Sequence, residues 1–465
     1  MALIKSISGI RGTIGGKAGD NLTPTDLVDF ISAFAKQRRD KFSELKSPTI
    51  VLGRDGRASG PALHDFVSAL LRFNGLTVLD VGLATTPTVE MSVISEKAQG
   101  GIILSASHNP KQWNALKLLD ENGEFMSAAD GQELLALAAS SDFTFAKVDE
   151  LGKHLIVSDA LESHIEAILK LKLVDQAAIA KRDFKIIVDG INSVGALAVP
   201  AMLRALGVTK IEIINAEING EFAHNPEPLD EHLSEIKRQV IESRADLGIV
   251  VDPDVDRLAF IDEKGEMFGE EYTLVAVADY VLREYCPCFH QKISVSNLSS
   301  SRALKDITEK RGGGYYAAAV GEVNVVSRMK ETGAVIGGEG NGGIIYPELH
   351  YGRDALVGIA LFLSALVDSG LTVSELKQQY PRYRMVKDKI ELSTDIDIKE
   401  ILEKVKANYK HETITDIDGV KIDWPDSWVH LRASNTEPII RIYAEAADLK
   451  TAQARADDIK GVIGK

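Results

Sequence analysis

Four short stretches hold most of the side chains that could do chemistry. Ser105-Ala106-Ser107-His108-Asn109-Pro110 sets two hydroxyls beside an imidazole, with Asn114 and Lys117 just downstream. A hydroxyl with His and Lys partners can serve as a nucleophile assisted by proton transfer. The same letters also describe a Ser/Asn/Pro turn with a capping hydroxyl, and at this point both readings stand. Asp252-Pro253-Asp254-Val255-Asp256-Arg257 puts three carboxylates at alternate positions between apolar runs. Such a set is a cage for a hard cation, with Mg²⁺ its natural occupant. A solvated acidic hairpin weighs less, because three like charges so close repel unless a cation neutralises them.

The third stretch, Gly338-Glu339-Gly340-Asn341-Gly342-Gly343, matches the dinucleotide fingerprint G-x-G-x-x-G by letters alone. Ile344-Ile345-Tyr346-Pro347 follows it as a strand ending in proline, not as a helix, so that reading fails. Glu339 and Asn341 instead offer an acceptor and a donor suited to a polyol such as a sugar, with a plain Gly-rich turn as the alternative. The fourth stretch is Arg432-Ala433-Ser434-Asn435-Thr436-Glu437-Pro438, followed by Arg441. Arg432, Ser434, Asn435, Thr436 and Arg441 bring two guanidinium groups, two hydroxyls and an amide together as a phosphate clamp. Near the start, Ser8-Gly9-Ile10-Arg11-Gly12-Thr13 reads as a loop in which flanking glycines let Arg11 approach an anion.

The elements that must position these loops follow from apolar patterning. Gly101-Ile102-Ile103-Leu104 is a short buried strand that delivers Ser107 at its end, where an α/β protein exposes reactive groups. Thr49–Leu52 and Thr77–Leu79 are strands around a helix carrying Leu63, Phe66, Val67, Leu70 and Leu71 at helical spacing. This alternation predicts a first α/β domain over residues 1–150. A second, over 151–262, opens at Phe184-Lys185-Ile186-Ile187-Val188, continues through a helix near 194–206 and a strand near Ile211, and ends with Leu247–Val251 and Leu258–Ile261 around the aspartates. A third, over 263–380, carries the Gly-rich loop. From 381 to 465 the texture changes to a strand over Lys387–Leu392, a helix over Ile398–Tyr409 and two strands flanking the clamp, predicting a smaller α+β domain.

Composition bounds the class. The 465 residues exceed one core and predict three or four domains. A balance of 53 basic against 68 acidic residues, net −15, argues against a nucleic-acid or anionic-membrane partner. Cys286 and Cys288 flank Pro287, too close for a useful disulfide and without a second pair for zinc, so they read as thiols in a reducing compartment. Without a signal-peptide h-region or a membrane-length apolar run, the sequence predicts a cytoplasmic protein.

Taken in order, the four loops resemble those of the α-D-phosphohexomutase family, which covers phosphoglucomutases, phosphomannomutases and phosphoglucosamine mutases. The resemblance runs from Gly9 to Glu445. It implies three similar α/β domains with mixed sheets and a smaller C-terminal α+β domain around a central cleft. It further implies an isomerase in which Ser107 carries a phosphoryl group and Asp252, Asp254 and Asp256 hold Mg²⁺ against it. Lys117 matches the family's general acid/base, assisted by His108, Arg257 and Arg11. Glu339 and Asn341 would read sugar hydroxyls while the Arg432–Arg441 loop holds the idle phosphate, and a hexose 1,6-bisphosphate would be intermediate and activator. The partner implied is a small sugar phosphate, with the chain a monomer or homodimer. Pro253 stands where the family has glycine, Ala115 where glycine follows Asn114, Asn341 where it has serine, and Gly343 where many relatives have histidine. Gly9-Ile10-Arg11-Gly12 resembles phosphoglucosamine mutases and Ser434-Asn435-Thr436 the glucose/mannose type, with the balance leaning to the former. A metal-dependent phosphatase using Asp252 or Asp254, and a non-catalytic phosphosugar-binding protein, are the alternatives.

Overall fold

A computed structural model describes residues 3–6, 9–284, 291–391, 398–433 and 439–463. Its plan is a strand–helix unit used three times. In the first domain, β1 (Ile4–Ser6), β2 (Gly9–Thr13) and α1 (Pro24–Lys41) precede the unit. The unit itself is β3 (Thr49–Arg54), α2 (Gly60–Phe73), β4 (Thr77–Leu83), α3 (Thr86–Ser95), β5 (Gly101–Leu104) and β6 (Trp113–Leu119). It is followed by α4 (Ala128–Ser140) and β7 (His154–Ile156). The sheet order is β1-β2-β6-β5-β3-β4-β7, with β5, β3, β4 and β7 parallel and β6 antiparallel to β5.

After α5 (Ala160–Leu169) and α6 (Gln176–Arg182), the unit recurs as β8 (Lys185–Asp189), α7 (Gly195–Ala205), β9 (Lys210–Ile214), α8 (Ser234–Ser243), β10 (Leu247–Val251) and β11 (Leu258–Asp262). Here β10, β8 and β9 are parallel, and β11 returns antiparallel to β10. The third copy follows α9 (Glu270–Glu284): β12 (Ile293–Asn297), α10 (Ala303–Lys310), β13 (Gly314–Ala318), α11 (Glu322–Thr332), β14 (Ile336–Glu339) and β15 (Gly343–Ile345), with the same pairing senses. The helix α12 (Ala355–Ser369) then packs with all but its last turn buried, and α13 (Val373–Lys377) ends this part of the chain. Parallel strands covered on both faces demand near-continuous apolar runs, which is why β8 and β10 read as Ile/Val-rich without alternation. Among the described residues, no helix is long and apolar enough to cross a membrane.

The last domain is an antiparallel sheet, β16-β20-β19-β18-β17, built from β16 (Arg384–Glu391), β17 (Thr413–Thr415), β18 (Val420–Asp423), β19 (Ser427–Ala433) and β20 (Ile439–Ala446). It is covered by α14 (Ile398–Asn408) and α15 (Leu449–Ile463). One face packs on the two helices and the other turns toward the third domain, so along β20 Ile440 and Ile442 lie in the core while Arg441 is exposed.

Two details differ from the sequence expectation. The stretch around Arg11 is strand β2, paired with β6 through Arg11↔Ala115, rather than a loop. Gly9 serves that pairing, since a Cβ there would lie 2.3 Å from the Leu116 carbonyl oxygen. The first sheet also reaches past residue 150, because β7 pairs with β4.

Candidate active site

Each repeat places its chemistry at the same point, the turn from the last parallel strand into the antiparallel strand beside it. Ser107 lies between β5 and β6, the three aspartates between β10 and β11, and the Gly-rich turn between β14 and β15. In each repeat the loop after the central strand braces that turn. After β3, the buried Arg57 guanidinium donates to the carbonyls of Asn109 (2.7 Å), Pro110 (2.9 Å) and Trp113 (3.0 Å), and to that of Ser107. Asp55 orients Arg57 at 3.0 Å and accepts from Ser105 Oγ at 2.7 Å, while Ser105 Oγ in turn accepts from the Ser107 N–H. After β8, Ser193 Oγ donates to the Pro253 carbonyl at 2.6 Å. After β12, Asn297 donates to Glu339 at 2.8 Å and Ser300 Oγ accepts from the Gly340 N–H at 3.0 Å.

These braces bring the serine and the aspartates into contact. Ser107, held at φ 47°, donates from Oγ to Asp252 Oδ2 at 2.6 Å. Asp252 Oδ1 accepts the backbone N–H groups of Asp256 and Arg257, each at 3.1 Å. Lys117 Nζ donates to Asp254 Oδ2 (2.6 Å) and Asp256 Oδ2 (3.1 Å), and Thr86 Oγ1 donates to Asp254 Oδ2 at 2.6 Å. At Asp254 and Asp256 the side-chain partners all fall on Oδ2. Asp254 Oδ1 and Asp256 Oδ1 are buried with no hydrogen-bond partner, and ligand atoms of the three aspartates lie within 4.8 Å of one another. Spare, buried, anionic oxygens in convergent positions fit a hard divalent cation, so the residues present suit Mg²⁺.

Electrostatics follow from burial and the local charges. Burial, reinforced by Asp256 and Asp254, pushes the Asp252 carboxyl well above the usual carboxylate range. Burial opposes ionisation of Asp256 too, but Arg353, Lys117 and Arg257 override it and hold its pKa low. Burial works against the Lys117 ammonium, yet Asp254 and Asp256 keep it charged. His108 is pushed down to about 2 by burial and by the nearby Arg257 and Arg11, so its imidazole is neutral; its Nδ1 lies 3.4 Å from Ser107 Oγ. Burial, then Arg257, also lowers Arg11, whose guanidinium lies 3.5 Å from Asn109 Oδ1.

Beside this centre opens a cavity of about 270 Å³ to which all four domains contribute. His108 comes from the first, Glu227 and Arg257 from the second, and Glu271, Asn297, Glu339 and Asn341 from the third. Lys387, His430, Arg432 and Arg441 come from the fourth. Arg432 and Arg441 are direct cross-strand partners on β19 and β20. Like charges facing each other this way are unfavourable alone and favourable around an anion. Asp418 takes up part of the charge, at 2.9 Å from Arg432 Nε. Ser434, Asn435 and Thr436 lie outside the described residues, as do Cys286 and Cys288.

The structure brings Ser107, Lys117 and the three aspartates together and sets Arg432 and Arg441 along the same cavity, while the residues that brace them were not singled out from the sequence. Arg57 was visible in Gly53-Arg54-Asp55-Gly56-Arg57 after a strand, a position equivalent to the other two braces. Lys387 and Glu271 had no local signal, because they reach the cavity from a strand and a helix whose contacts are long-range. Arg353, also missed, makes ion pairs to Asp256, Glu339 and Glu322.

A thrice-repeated α/β unit with a serine, a carboxylate cage and an arginine pair around one cleft defines a phosphosugar mutase class. The comparisons agree. Residues 3–145, 162–265 and 270–383 match the alpha/beta/alpha domains I, II and III of phosphoglucomutase/phosphomannomutase, and 386–462 match its C-terminal domain. The chain belongs to the phosphoglucomutase/phosphomannomutase family and is a phosphohexomutase. It is 37% identical over 450 residues to a phosphoglucomutase/phosphomannomutase of Thermococcus kodakarensis, covering 95% of each chain. It is 32% identical to a probable phosphoglucosamine mutase of Methanopyrus kandleri, covering 98% of this chain and 96% of the relative. In fold it is similar to a phosphoglucomutase/phosphomannomutase family protein of Burkholderia thailandensis, with TM-score 0.83, 24% identity and 99% and 98% of the two chains covered.

Proposed function

We propose that this phosphohexomutase carries its phosphoryl group on Ser107 and moves it between the 1- and 6-positions of a hexose phosphate through a 1,6-bisphosphate. Phosphoglucosamine is the favoured substrate, with glucose and mannose phosphates as alternatives. The carrying observation is the 2.6 Å contact of Ser107 Oγ with Asp252, beside the two orphaned oxygens of Asp254 and Asp256. Those aspartates would hold Mg²⁺, which when bound supplies positive charge to offset that of a transferring phosphoryl group.

The chain's own residues then do the rest. In the first half-reaction the phosphorus–Oγ bond of phosphorylated Ser107 breaks and a bond forms to the free sugar hydroxyl. Lys117, kept charged by its aspartates, is the proton donor to the departing Oγ. The proton released by the sugar hydroxyl replaces the one Lys117 gives up, and the neutral His108 imidazole, 3.4 Å from Ser107 Oγ, assists beside the transferring group. Arg11 and Arg257 stabilise the transferring charge, and Arg432 and Arg441 hold the phosphate that does not react. Glu339 and Asn341 orient the sugar. Ser434, Asn435 and Thr436 would complete the clamp. After the bisphosphate turns over in the cleft, its other phosphate returns to Ser107.

The test is isomerisation of glucosamine, glucose and mannose 1-phosphates with Mg²⁺ and a trace of the matching bisphosphate, repeated with Ser107→Ala. Turnover by the parent and none by the variant, with sugar-phosphate binding retained, is the expected result. Release of inorganic phosphate that survives Ser107→Ala would move the reading to the phosphatase.

A further inference from the structure

Arg353 sits between two loops that the sequence treats as separate. It precedes α12, and a bridge between Ile345 and Arg353 ties it back to β15. Its Nη2 donates to Asp256 Oδ2 at 2.8 Å and its Nη1 to Glu339 Oε2 at 2.9 Å. Both Nε and the backbone N–H are fixed by Glu322, at 3.0 and 2.9 Å. The next residue, Asp354, caps α12 through the Leu356 N–H at 2.8 Å and accepts from His164 at 2.9 Å, so the backbone carrying Arg353 is anchored as well. Room for the side chain comes from Gly343: a Cβ there would lie 2.4 Å from Arg353 Cδ.

The geometry has a consequence for both carboxylates. By taking Asp256 Oδ2, Arg353 fixes the rotation that leaves Asp256 Oδ1 as an unpartnered acceptor. By taking Glu339 Oε2, it fixes the carboxylate whose other oxygen is held by Asn297 and the Gly321 N–H. A planar, rigid fork does this for two groups at once, which a lysine point charge cannot.

We propose that Arg353 is a positioning residue that couples divalent-cation binding at the aspartate loop to sugar-phosphate binding at the Glu339 loop. This rests on the reading of Asp256 as a metal residue and Glu339 as a sugar residue. A cation at Asp256 and a sugar at Glu339 each stiffen one end of the same fork. Each therefore favours the other, by the same factor in both directions.

The test measures binding of Mg²⁺ and of glucosamine 1-phosphate to the full chain by calorimetry, each with and without the other. For the parent, each ligand is expected to tighten the other by about tenfold. In Arg353→Met that factor falls to one and Mg²⁺ affinity drops by roughly 10–100-fold, as for outer-shell partners of metal ligands. Arg353→Lys restores the charge without the fork and recovers Mg²⁺ affinity but not the coupling. Should Arg353→Met fail to fold, Gly343→Ala crowds the same side chain while keeping its charge, and is expected to reduce the coupling in a chain that still melts cooperatively. Persistence of the parental coupling factor in Arg353→Met or in a folded Gly343→Ala overturns the proposal. A parent that binds neither Mg²⁺ nor the sugar phosphate overturns the site reading itself.

Discussion

The aspartate turn and the Gly-rich turn occupy the same place in successive copies of one unit and share a brace from the loop after the central strand, yet beyond it they are held differently. Between β10 and β11, the chain is stiffened from within: Pro253 fixes one residue, and the backbone N–H groups of Asp256 and Arg257 bind the Asp252 side chain. Val255 is held at φ 64°, a region costly for a β-branched residue. Between β14 and β15, the turn lies flat against its surroundings. Gly340 packs on Glu271, Ser300 accepts the Gly340 N–H, and Asn341 Oδ1 accepts the Gly343 N–H at 3.2 Å. The first turn ends with acceptors to spare. The second ends with its carboxylate, Glu339, bonded by Arg353, Asn297 and a backbone N–H. One topology thus leaves anionic oxygens over at the first turn, where the proposed function seats a cation, and compensates the charge at the second, where it seats a sugar.

Removing one charge from each turn should separate the two most sharply. Asp254→Asn deletes a cage charge and is expected to lower kcat by about 10²–10³-fold, the scale of losing one preorganised electrostatic contact. It should also raise the Mg²⁺ concentration for half-maximal activity. Glu339→Gln is expected to act mainly on KM for the sugar phosphate, by about tenfold, with only a smaller shift in Mg²⁺ dependence than Asp254→Asn, transmitted through Arg353. Steady-state kinetics over a Mg²⁺ series reads both. Equal shifts in Mg²⁺ dependence would erase the distinction drawn between the turns.

Backbone changes give a smaller contrast. A Cβ on Gly340 would lie 1.9 Å from Glu271 Oε2, and that carboxylate is itself bonded to the Ser301 N–H at 2.8 Å. Gly340→Ala should displace Glu271 and cost about 1–3 kcal/mol of stability, as overpacking does. In the aspartate turn, Pro253→Gly mainly frees the unfolded chain and should cost about 0.4–1 kcal/mol. Urea melts distinguish them, and a Pro253→Gly loss larger than that of Gly340→Ala would show that proline, rather than the internal hydrogen bonds, stiffens the metal turn.

These turns were legible in the sequence because each is bounded by apolar runs short enough to be strands, and because reactive residues gathered within six or so positions. What positions them was not. Arg57 meets Asn109 and Trp113 across 52 and 56 positions, and Arg353 meets Asp256 across 97. Such separations leave no trace in periodicity. The likeness of the three domains, expected from the family resemblance, left no trace in the apolar patterning for a related reason: what recurs is strand order and the sense of pairing, which quite different apolar letters satisfy equally well. Arg11 was misplaced into a loop because glycines serve close strand approach as readily as they serve ligands. β7 was missed because its three residues, His154-Leu155-Ile156, are too few to show alternation.

The gentlest probe of the contrast is pH, read at Glu271 beneath the Gly-rich turn. Burial raises this carboxyl to about 8, with Glu270 adding to the effect and Lys387 opposing it. In the unfolded chain it titrates near its ordinary value of 4.5. Between these values the folded state binds the extra proton, so stability is greatest below pH 4.5, declines as pH rises and has lost this contribution above about pH 8. Glu271→Gln keeps the shape and removes the proton. The melting temperature of the parent should therefore fall more steeply than that of Glu271→Gln across this window, by on the order of a few °C. If the two slopes are the same, Glu271 is ionised in the folded protein. The floor of the sugar turn would then be a charged pair with Lys387, and the neutral packing surface that sets it apart from the aspartate turn would have to be abandoned.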